Sequence, residues 1–224
     1  MRCYGHGYLF YSVTSDGILR CNKVSTNYSK IYLASGSPRR KELLTQLGVN
    51  YIQIANDFDE TRLINESPLD YVERVALGKA QSALESLDNL DKLPVLSADT
   101  TVIHDGEPLG KPENLEHAAE LLLRLSGERH TVMSSVVLAV NGDFLQKTVE
   151  TNVVFAALKE KTIEAYCETQ EPLGKAGGYA IQGIGGSLIE SISGSYTNVV
   201  GLPVYETRQL LEQAKVQFAL SGLG

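Results

Sequence analysis

Residues Leu33 to Gly48 read Leu-Ala-Ser-Gly-Ser-Pro-Arg-Arg-Lys-Glu-Leu-Leu-Thr-Gln-Leu-Gly, the pattern of a strand end, a tight turn and an amphipathic helix. Ser37 is a good N-cap, Pro38 suits the first helical position, and a leucine stripe runs to the closing glycine. We therefore predict a helix that begins at Pro38. Its first turn holds Arg39 and Arg40 beside free N–H groups, where each positive charge is disfavoured by about 0.3–1 kcal/mol.

The unfavourable placement of the two arginines indicates that an anionic group binds at this helix start. Ser35 and Ser37 supply hydroxyls and Gly36 allows close backbone approach, just upstream of Arg39 and Arg40. A strand, a tight turn and a helix form the layout in which helix N-termini bind anions. The segment is typical of a cradle for a phosphate chain, although a helix start with merely solvated arginines would show the same capping pattern.

Composition is that of an ordinary globular protein. The 224 residues, 43% apolar and 21% charged, suffice for one sizeable core or for two lobes around a cleft. The formal net charge of −7 argues against a general nucleic-acid-binding protein, so an anionic ligand needs a local group of cations or a metal ion. The three cysteines are widely separated, which indicates reduced thiols and a cytoplasmic protein. No apolar run approaches the roughly 20 residues that span a membrane.

Periodicity along the chain predicts an α/β fold with α+β character, in which helices flank a mixed, elongated central sheet. Strands are expected at 31–34, 51–55, 94–98, 130–140, 143–157 and 187–192, and helices after 37, after the capping box at 67–70, and near 115–122, 162–168 and 203–215. Asp105-Gly106 and Asn141-Gly142 are hairpin signals. We predict a single domain over residues 31–224, with two lobes around a substrate cleft, preceded by a patternless extension over residues 1–30.

Two further charged residues lie where a ligand would reach them. Asp99 directly follows a buried run, so we expect it at the carboxyl end of a strand, where open α/β sheets bind ligands. There it either takes a proton from water, holds a divalent metal, or simply caps the next turn. Lys79 falls on the apolar face of its helix, with its ammonium either solvated at the rim or placed in a cleft as a phosphate clamp.

Other candidate ligand contacts are Glu60, Lys111 and Gln182. Lys111 is either a solvated or a phosphate-binding lysine. Glu60 and Arg62 form a loop salt bridge, or they supply a metal ligand and a phosphate contact. Gln182 belongs to a glycine-rich loop at 174–186, and its amide has the donor and acceptor that reading a pyrimidine base edge requires. The glycines serve turn geometry or let the backbone approach a ligand.

Motifs of two common nucleotide-binding folds are missing from the sequence. It contains no G-x-x-x-x-G-K-[ST], and no G-x-G-x-x-G follows a strand. The histidines lack zinc spacing. We therefore expect neither a P-loop, nor a Rossmann dinucleotide site, nor a zinc site.

Taken together, these residues make the chain resemble the Maf family of nucleoside triphosphate pyrophosphatases, once called septum formation inhibitors. The landmarks are Ser35-Gly-Ser-Pro-Arg-Arg40, Asp59-Glu-Thr-Arg62, Lys79, Ser97-Ala-Asp-Thr100, Gly110-Lys-Pro112, Ser126-Gly127 with His130, Lys175-Ala-Gly-Gly-Tyr-Ala-Ile-Gln-Gly183, and Gly194-Ser-Tyr196 with Gly201-Leu-Pro203. Jointly they are highly specific, and they run from residue 31 to the last helix. The resemblance implies a fold similar to inosine triphosphate pyrophosphatase-like folds.

The resemblance also implies a reaction. A nucleotide is hydrolysed between its α and β phosphates to a monophosphate and pyrophosphate, with a divalent cation, Mg²⁺ or Mn²⁺. Asp99 matches the family's proton acceptor. Residues at the phosphate and metal end match Ser35, Arg40, Glu60, Lys79 and Lys111, with Glu60 and Asp99 as our candidate metal ligands. Arg39, Thr100 and Gln182 match the positions that select the substrate.

Side chains at those three positions resemble the branch that acts on dTTP and UTP, with Arg-Arg, Asp-Thr and Ile-Gln. The 7-methyl-GTP branch has an aromatic residue, Asp-Gln and a Glu there. Our main hypothesis is a cytoplasmic dTTP/UTP pyrophosphatase that removes unwanted or modified pyrimidine nucleotides. A 7-methyl-GTP pyrophosphatase and a nucleotide-binding regulator of septum formation are the alternatives. We expect no nucleic-acid or membrane partner, and monomer and homodimer both stay open.

Overall fold

Nine strands and six α-helices follow one another along the described chain, which comprises Leu9–Val13, Leu19–Lys23, residues 28–87 and residues 93–221 of the computed structural model. The strands are β1 (Leu9–Val13), β2 (Leu19–Lys23), β3 (Ile31–Leu33), β4 (Tyr51–Gln53), β5 (Val95–His104), β6 (Glu107–Leu109), β7 (Arg129–Val140), β8 (Asp143–Phe155) and β9 (Ile189–Ser193). The α-helices are α1 (Pro38–Gln46), α2 (Pro68–Glu85), α3 (Leu115–Leu125), α4 (Glu160–Glu168), α5 (Tyr196–Val200) and α6 (Val204–Gln213).

Seven of the strands form one mixed sheet, in the order β4-β3-β5-β7-β8-β9 with β6 beside β5. β3 runs parallel to β4 and to β5, and the other neighbouring pairs are antiparallel. Helices α1, α2 and α6 pack against the sheet through buried apolar side chains. The predicted mixed α/β sheet with flanking helices is confirmed.

Local signals account for most of the element boundaries. Ser37 caps α1, since its side chain accepts a hydrogen bond from the backbone N–H of Arg40. Ser67 caps α2 in the same way. Asn141-Gly142 and Asp105-Gly106 both take positive φ, which is the geometry of the tight turns that join antiparallel strands. These expected caps and hairpins are confirmed.

The expected end of one strand was wrong. β5 does not stop before Asp99 but continues to His104, because β7 pairs with it from Val95 through Ile103. On its other edge, β5 is covered by β3 only at Val95 and Leu96 and by β6 only from Val102 onward. Among the described residues, the stretch 97–101 therefore has a strand on one edge alone, and Asp99 lies in this gap beyond the carboxyl end of β3.

Of the three apolar clusters among the described residues, one joins α2 to the sheet, and the other two pack on the two halves of the long strands. One of these two contains Leu96 and Ala98 of β5 with side chains from α1 and α6. The other contains Val102 of β5 with side chains from α3 and α4. β7 contributes Val136 to the first cluster and Val132 to the second. The predicted two lobes are therefore two halves of one continuous sheet, and the gap beside Asp99 lies at their boundary.

Some features of the described chain were not expected from the sequence. The helix α5 was not predicted, and the glycine-rich loop contains two short 3₁₀ turns, Ala176–Gly178 and Ile184–Leu188.

Within the extension 1–30, β1 and β2 pair as a separate two-stranded sheet, while 1–8, 14–18 and 24–27 lie outside the described residues. The division into an extension and a single domain stays a prediction. Across the described part of the chain, none of the helices has the length and apolar character needed to cross a membrane.

Candidate active site

A cleft of about 720 Å³ opens at the gap beside β5, a volume typical of small-molecule sites. It is walled by the start of α1, the loop after β4, the face of α2 that carries Lys79, and the glycine-rich loop. Six cationic side chains line it against two carboxylates. The cations are Arg39, Arg40, Arg62, Lys79, Lys111 and Lys175, and the carboxylates are Glu60 and Asp99. The cleft lining therefore provides the local positive charge that an anionic ligand needs in a protein of negative net charge.

A buried lysine joins the two carboxylates of the cleft. Lys79 Nζ lies 2.8 Å from Oδ1 of Asp99 and 2.7 Å from Oε1 of Glu60. The side chains of Lys79 and Asp99 are only 8% and 9% exposed. Of the alternatives for Lys79, the structure therefore selects the cleft and excludes the solvated rim. Lys111 is mostly exposed, with Nζ 4.0 Å from Oε2 of Glu60.

Glu60 is held in its charged form by this arrangement. Burial opposes its negative charge, but the hydrogen bond and the charge of Lys79, with Lys111 and Arg40, outweigh burial and lower the pKa of Glu60 below its ordinary value. Tyr71, which lines the cleft two helical turns before Lys79, responds in the opposite direction. Burial, followed by the charges of Asp99 and Glu60, raises the pKa of its phenol to about 12.

Arg40 is bonded largely to the protein. Its Nε donates to the carbonyl of Gly201 at 2.8 Å, Nη1 to Ser35 Oγ at 3.2 Å, and Nη2 to Thr100 Oγ1 at 3.1 Å. Burial lowers the pKa of the guanidinium, and the charge of Asp99 acts against that change. Three of the five N–H groups of a guanidinium are used in this way, so one on each terminal nitrogen stays open to a ligand.

A chain of hydroxyls continues from Arg40 into the core. Thr100 Oγ1 and Ser134 Oγ lie 2.8 Å apart, and one donates to the other; Ser134 also lies 2.9 Å from the carbonyl of Asn198, and Thr100 3.4 Å from that of Gly201. Thr100 in turn accepts from Arg40. Ser134 and Asn198 are fully buried. Thr100 is therefore bonded on both sides, to Arg40 and to Ser134, at the floor of the cleft.

Arg39 differs from its neighbour because part of its guanidinium is unbonded. Its Nε is buried and, within the described part of the chain, has no hydrogen-bond partner. Burial lowers the pKa of the Arg39 guanidinium, while the charge of Glu171 acts in the other direction. The charge of Arg39 also contributes, after burial, to a lowered pKa of Lys175. A buried donor without a partner is costly, and a bound ligand would relieve that cost.

Similarity to known proteins gives evidence of a second kind, independent of the geometry of the cleft. A family model described as Maf-like protein matches residues 30–214. The chain belongs to the Maf family. A dTTP/UTP pyrophosphatase of Pseudoalteromonas translucida (strain TAC 125) is 51% identical over 182 residues, which cover 81% of this chain and 95% of that relative. A dTTP/UTP pyrophosphatase of Escherichia coli (strain K12) is 48% identical over 183 residues, 82% of this chain and 92% of that one.

One solved structure also aligns with this Maf chain. The Staphylococcus aureus Ham1 protein matches 58% of this chain and 73% of its own at 18% sequence identity, with a TM-score of 0.41.

The structure brings together all but one of the site residues that the sequence predicted for this Maf chain. Those in the cleft lining are Ser35, Ser37, Arg39, Arg40, Glu60, Lys79, Asp99, Thr100 and Lys111. Gln182 is exposed on the glycine-rich loop and is not part of the lining, whereas its neighbour Ile181 is. Ile181 and Gln182 both lie in the turn that precedes Ile184–Leu188, and one-dimensional spacing does not reveal which of the two faces the cleft.

Sequence reasoning left Tyr71 and Lys175 out of the site. Tyr71 lies eight residues before Lys79 on the same helix, so helical periodicity already placed both near one face. Lys175 stands at the start of the glycine-rich loop, where the glycines and Gln182 gave the stronger sequence signal. Arg62 lines the cleft but is bonded elsewhere, with Nη1 2.6 Å from Glu107 and two donors on the carbonyl of Glu66. The expected salt bridge between Glu60 and Arg62 was therefore wrong, because Arg62 pairs with Glu107 and Glu60 pairs with Lys79.

The carboxylates of this Maf site suit a divalent cation that binds with its substrate. Lys79 contacts Oδ1 of Asp99 and Oε1 of Glu60, which leaves Oδ2 and Oε2 facing other partners. No group of three or more acidic, histidine or cysteine side chains among the described residues forms a complete cage for a metal. Two carboxylates, with phosphate oxygens and water as the other ligands, are what Mg²⁺ commonly uses. The donors thus fit a metal held jointly with a phosphate chain.

Proposed function

We propose that this Maf chain is a nucleoside triphosphate pyrophosphatase that hydrolyses dTTP and UTP to the monophosphate and pyrophosphate. The observation that carries the proposal is the Asp99–Lys79–Glu60 cluster at the floor of a cleft lined by six cations. Relatives that are 51% and 48% identical and are named dTTP/UTP pyrophosphatase support the same assignment.

In this proposal the phosphate chain binds between the start of α1 and Lys111. The N-terminus of α1 offers the N–H of Arg39 and the positive end of its dipole, and Ser35 and Ser37 lie beside it. Arg40 contributes its two open N–H groups, and Lys111 contributes a mobile charge from the opposite wall. Cleavage of a phosphoanhydride depends mainly on positioning and charge neutralisation, which these groups supply.

Asp99 is our candidate for the proton acceptor. The ammonium of Lys79 fixes Oδ1, so Oδ2 is presented to the cleft in a set orientation. A water molecule that donates its proton to Oδ2 is thereby aimed at the α-phosphorus, and its attack expels pyrophosphate. Glu60 keeps Lys79 in place by accepting its second hydrogen bond. The cluster therefore fixes which phosphorus is attacked.

As the alternative to direct proton acceptance, we propose that Glu60 and Asp99 hold a divalent cation, Mg²⁺ or Mn²⁺, through the oxygens that Lys79 does not contact, so that Oδ2 of Asp99 would bind the cation and not the water. When bound, the cation supplies positive charge to the phosphate oxygens. Charge neutralisation by Arg40 and Lys111 adds to that effect from the protein side.

Selection of the base rests on Arg39 in this proposal. Its unbonded donors suit the carbonyl oxygens of uracil and thymine, both of which are acceptors. Thr100 acts through Arg40, because both are joined by a hydrogen bond. The roles of Gln182, a cytoplasmic location, a homodimer and the lack of nucleic-acid and membrane partners stay predictions.

Product analysis tests the function directly. The purified protein is incubated with Mg²⁺ and, separately, dTTP, UTP, CTP, dATP and 7-methyl-GTP, and the products are separated by chromatography. We expect dTMP or UMP with pyrophosphate, and loss of turnover in a folded Asp99→Asn variant. Release of orthophosphate and a diphosphate would contradict the chemistry. Preferred turnover of 7-methyl-GTP would contradict the base assignment.

A further inference from the structure

A glycine in the middle of α2 makes room for an aromatic ring from the loop that carries Glu60. A Cβ built on Gly78 would lie 2.2 Å from Cε2 and 2.3 Å from Cζ of Phe58, so no larger residue fits there without displacing the ring. Glycine in a helix interior costs about 1 kcal/mol relative to alanine. Gly78 is buried, and it lies on the side of α2 that carries Arg74, about half a helical turn away from Ala76 and Ala80. The space at Gly78 is therefore filled by Phe58.

This contact joins the two backbone segments from which the catalytic cluster projects. Phe58 stands two residues before Glu60, and Gly78 directly precedes Lys79. Glu60 belongs to the stretch 54–67, which has no helix or strand, so no ladder of backbone hydrogen bonds fixes its position. The 2.7 Å contact between Glu60 and Lys79 thus depends on how this irregular segment is attached to α2.

Arg74, one turn earlier on α2, reinforces the same attachment. Its guanidinium lies 5.9 Å from the centre of the Phe58 ring, within cation–π range. It also donates to the carbonyl of Thr61 at 3.1 Å and pairs with Glu66 at 2.5 and 2.9 Å. Contacts on both sides of Glu60, at positions 58 and 61, therefore converge on α2.

We propose that Phe58 and Gly78 are positioning residues for the reaction: the ring seated over Gly78 places the Glu60 carboxylate on Lys79. The inference rests on the proposed function, in which Glu60 and Lys79 act at the phosphate chain. Phe58 does not line the cleft. It acts on turnover only through Glu60.

Kinetics with a double substitution test this dependence. Phe58→Ala and Gly78→Ala are each expected to lower kcat for dTTP by roughly tenfold to a hundredfold, the effect of a misplaced catalytic group. Leu63→Ala, which truncates an exposed apolar side chain of the same loop, is the matched control and is expected to leave kcat within about twofold of the parent. In a Glu60→Gln background, Phe58→Ala is expected to add less than about twofold. A multiplicative loss in that background would overturn the proposal.

A rescue experiment distinguishes a clash between the Phe58 ring and a side chain at position 78 from a general destabilisation of α2. Gly78→Ala is expected to lower kcat strongly in the parent protein but to have little effect in a Phe58→Ala background, because the clash is then absent. An equal loss in both backgrounds would overturn the role of Gly78. Circular dichroism checks that each variant is folded, and Phe58→Leu replaces Phe58→Ala if the latter does not fold.

A measurement without substrate keeps this inference separate from the proposed function. The side-chain ¹⁵Nζ and ¹³Cε NMR signals of Lys79 report its pairing with Glu60. Phe58→Ala is expected to move them in the same direction as Glu60→Gln does, and Leu63→Ala is expected to leave them unchanged. Unmoved Lys79 signals in Phe58→Ala would overturn the positioning role. If the parent protein hydrolyses no nucleotide, the proposed function fails while the NMR result still decides the placement of Glu60.

Discussion

Arg39 and Arg40, which are adjacent in the first turn of α1, differ in their contacts. Arg40 bonds to Gly201, Ser35 and Thr100 and so ties α1 to β5 and to the loop after α5, whereas the Nε of Arg39 has no partner among the described residues. The sequence predicted that both would meet an anion, because the helix start disfavours positive charge. It could not predict the division, since two of the three partners of Arg40, Thr100 and Gly201, lie 60 and 161 positions away.

Substitution of each arginine by alanine should separate these roles. We expect Arg40→Ala to lower the free energy of unfolding by about 1–3 kcal/mol, because partners inside the fold lose a charged donor. Arg39→Ala should not lower it, since no hydrogen bond within the described fold is lost and a buried donor without a partner is removed. Urea unfolding measures both values. Arg39→Ala should instead raise KM for dTTP, and equal destabilisation by the two substitutions would contradict the division.

His130 provides a pH prediction. It is buried, its Nε2 lies 2.7 Å from the Tyr179 hydroxyl, and burial, with the charge of His104, lowers its pKa to about 4. Because the pKa in the folded state lies below the ordinary 6.5, protonation favours the unfolded chain. The contribution of His130 is complete above pH 6.5 and is lost as the pH falls towards 4, with a slope of up to about 1.4 kcal/mol per pH unit.

The slope is measured by urea unfolding at several pH values between 4 and 7. We expect His130→Gln to flatten it relative to the parent protein, even if the variant is less stable at every pH. His117→Gln, a substitution of a histidine at the start of α3, serves as the control and should keep the slope of the parent. An unchanged slope in His130→Gln would show that its protonation does not differ between the folded and unfolded states.

At the scale of elements, prediction succeeded where a signal is local and failed where pairing partners decide. Ser37 and Ser67 place two helix starts, and Asn141-Gly142 places a hairpin, because these residues act on their own backbone. The end of β5 was wrong because Asp99 and Thr100 look like a turn, yet β7 pairs with them across the sheet. Helix α5 was missed because a five-residue helix shows too little periodicity.

The turn between β7 and β8 gives a prediction for glycine at positive φ. Gly142 has φ of 89°, and a Cβ there would meet no atom within 4 Å, so only backbone strain opposes a side chain. Gly142→Ala is therefore expected to lower the free energy of unfolding by about 1–2 kcal/mol. Gly110→Ala is the control, because its Cβ would also meet open space but its φ is not positive. Thermal unfolding compares the two, and equal effects would contradict the strain argument.

At the scale of the whole molecule, the two apolar clusters share strands and should not unfold separately. Leu96 and Val136 belong to one cluster, and Val102 and Val132 to the other, although each pair lies on the same two strands. Native-state hydrogen exchange should give the four amides the same free energy of opening. A urea range in which only one cluster exchanges would contradict this cooperativity.

Continuous strands also limit how a ligand can enter. A hinge needs a short flexible linker between two rigid bodies. β5 and β7, however, run from one cluster to the other without a break. Bending at Asp99 would therefore break the pairing of β5 with β7 before and after that residue. The spacing of the strands at the cleft floor is therefore set by the sheet and not by the ligand. Because the segment 54–67 is attached to α2, movement that admits or releases a ligand is expected in the glycine-rich loop 174–183, while the floor keeps its width.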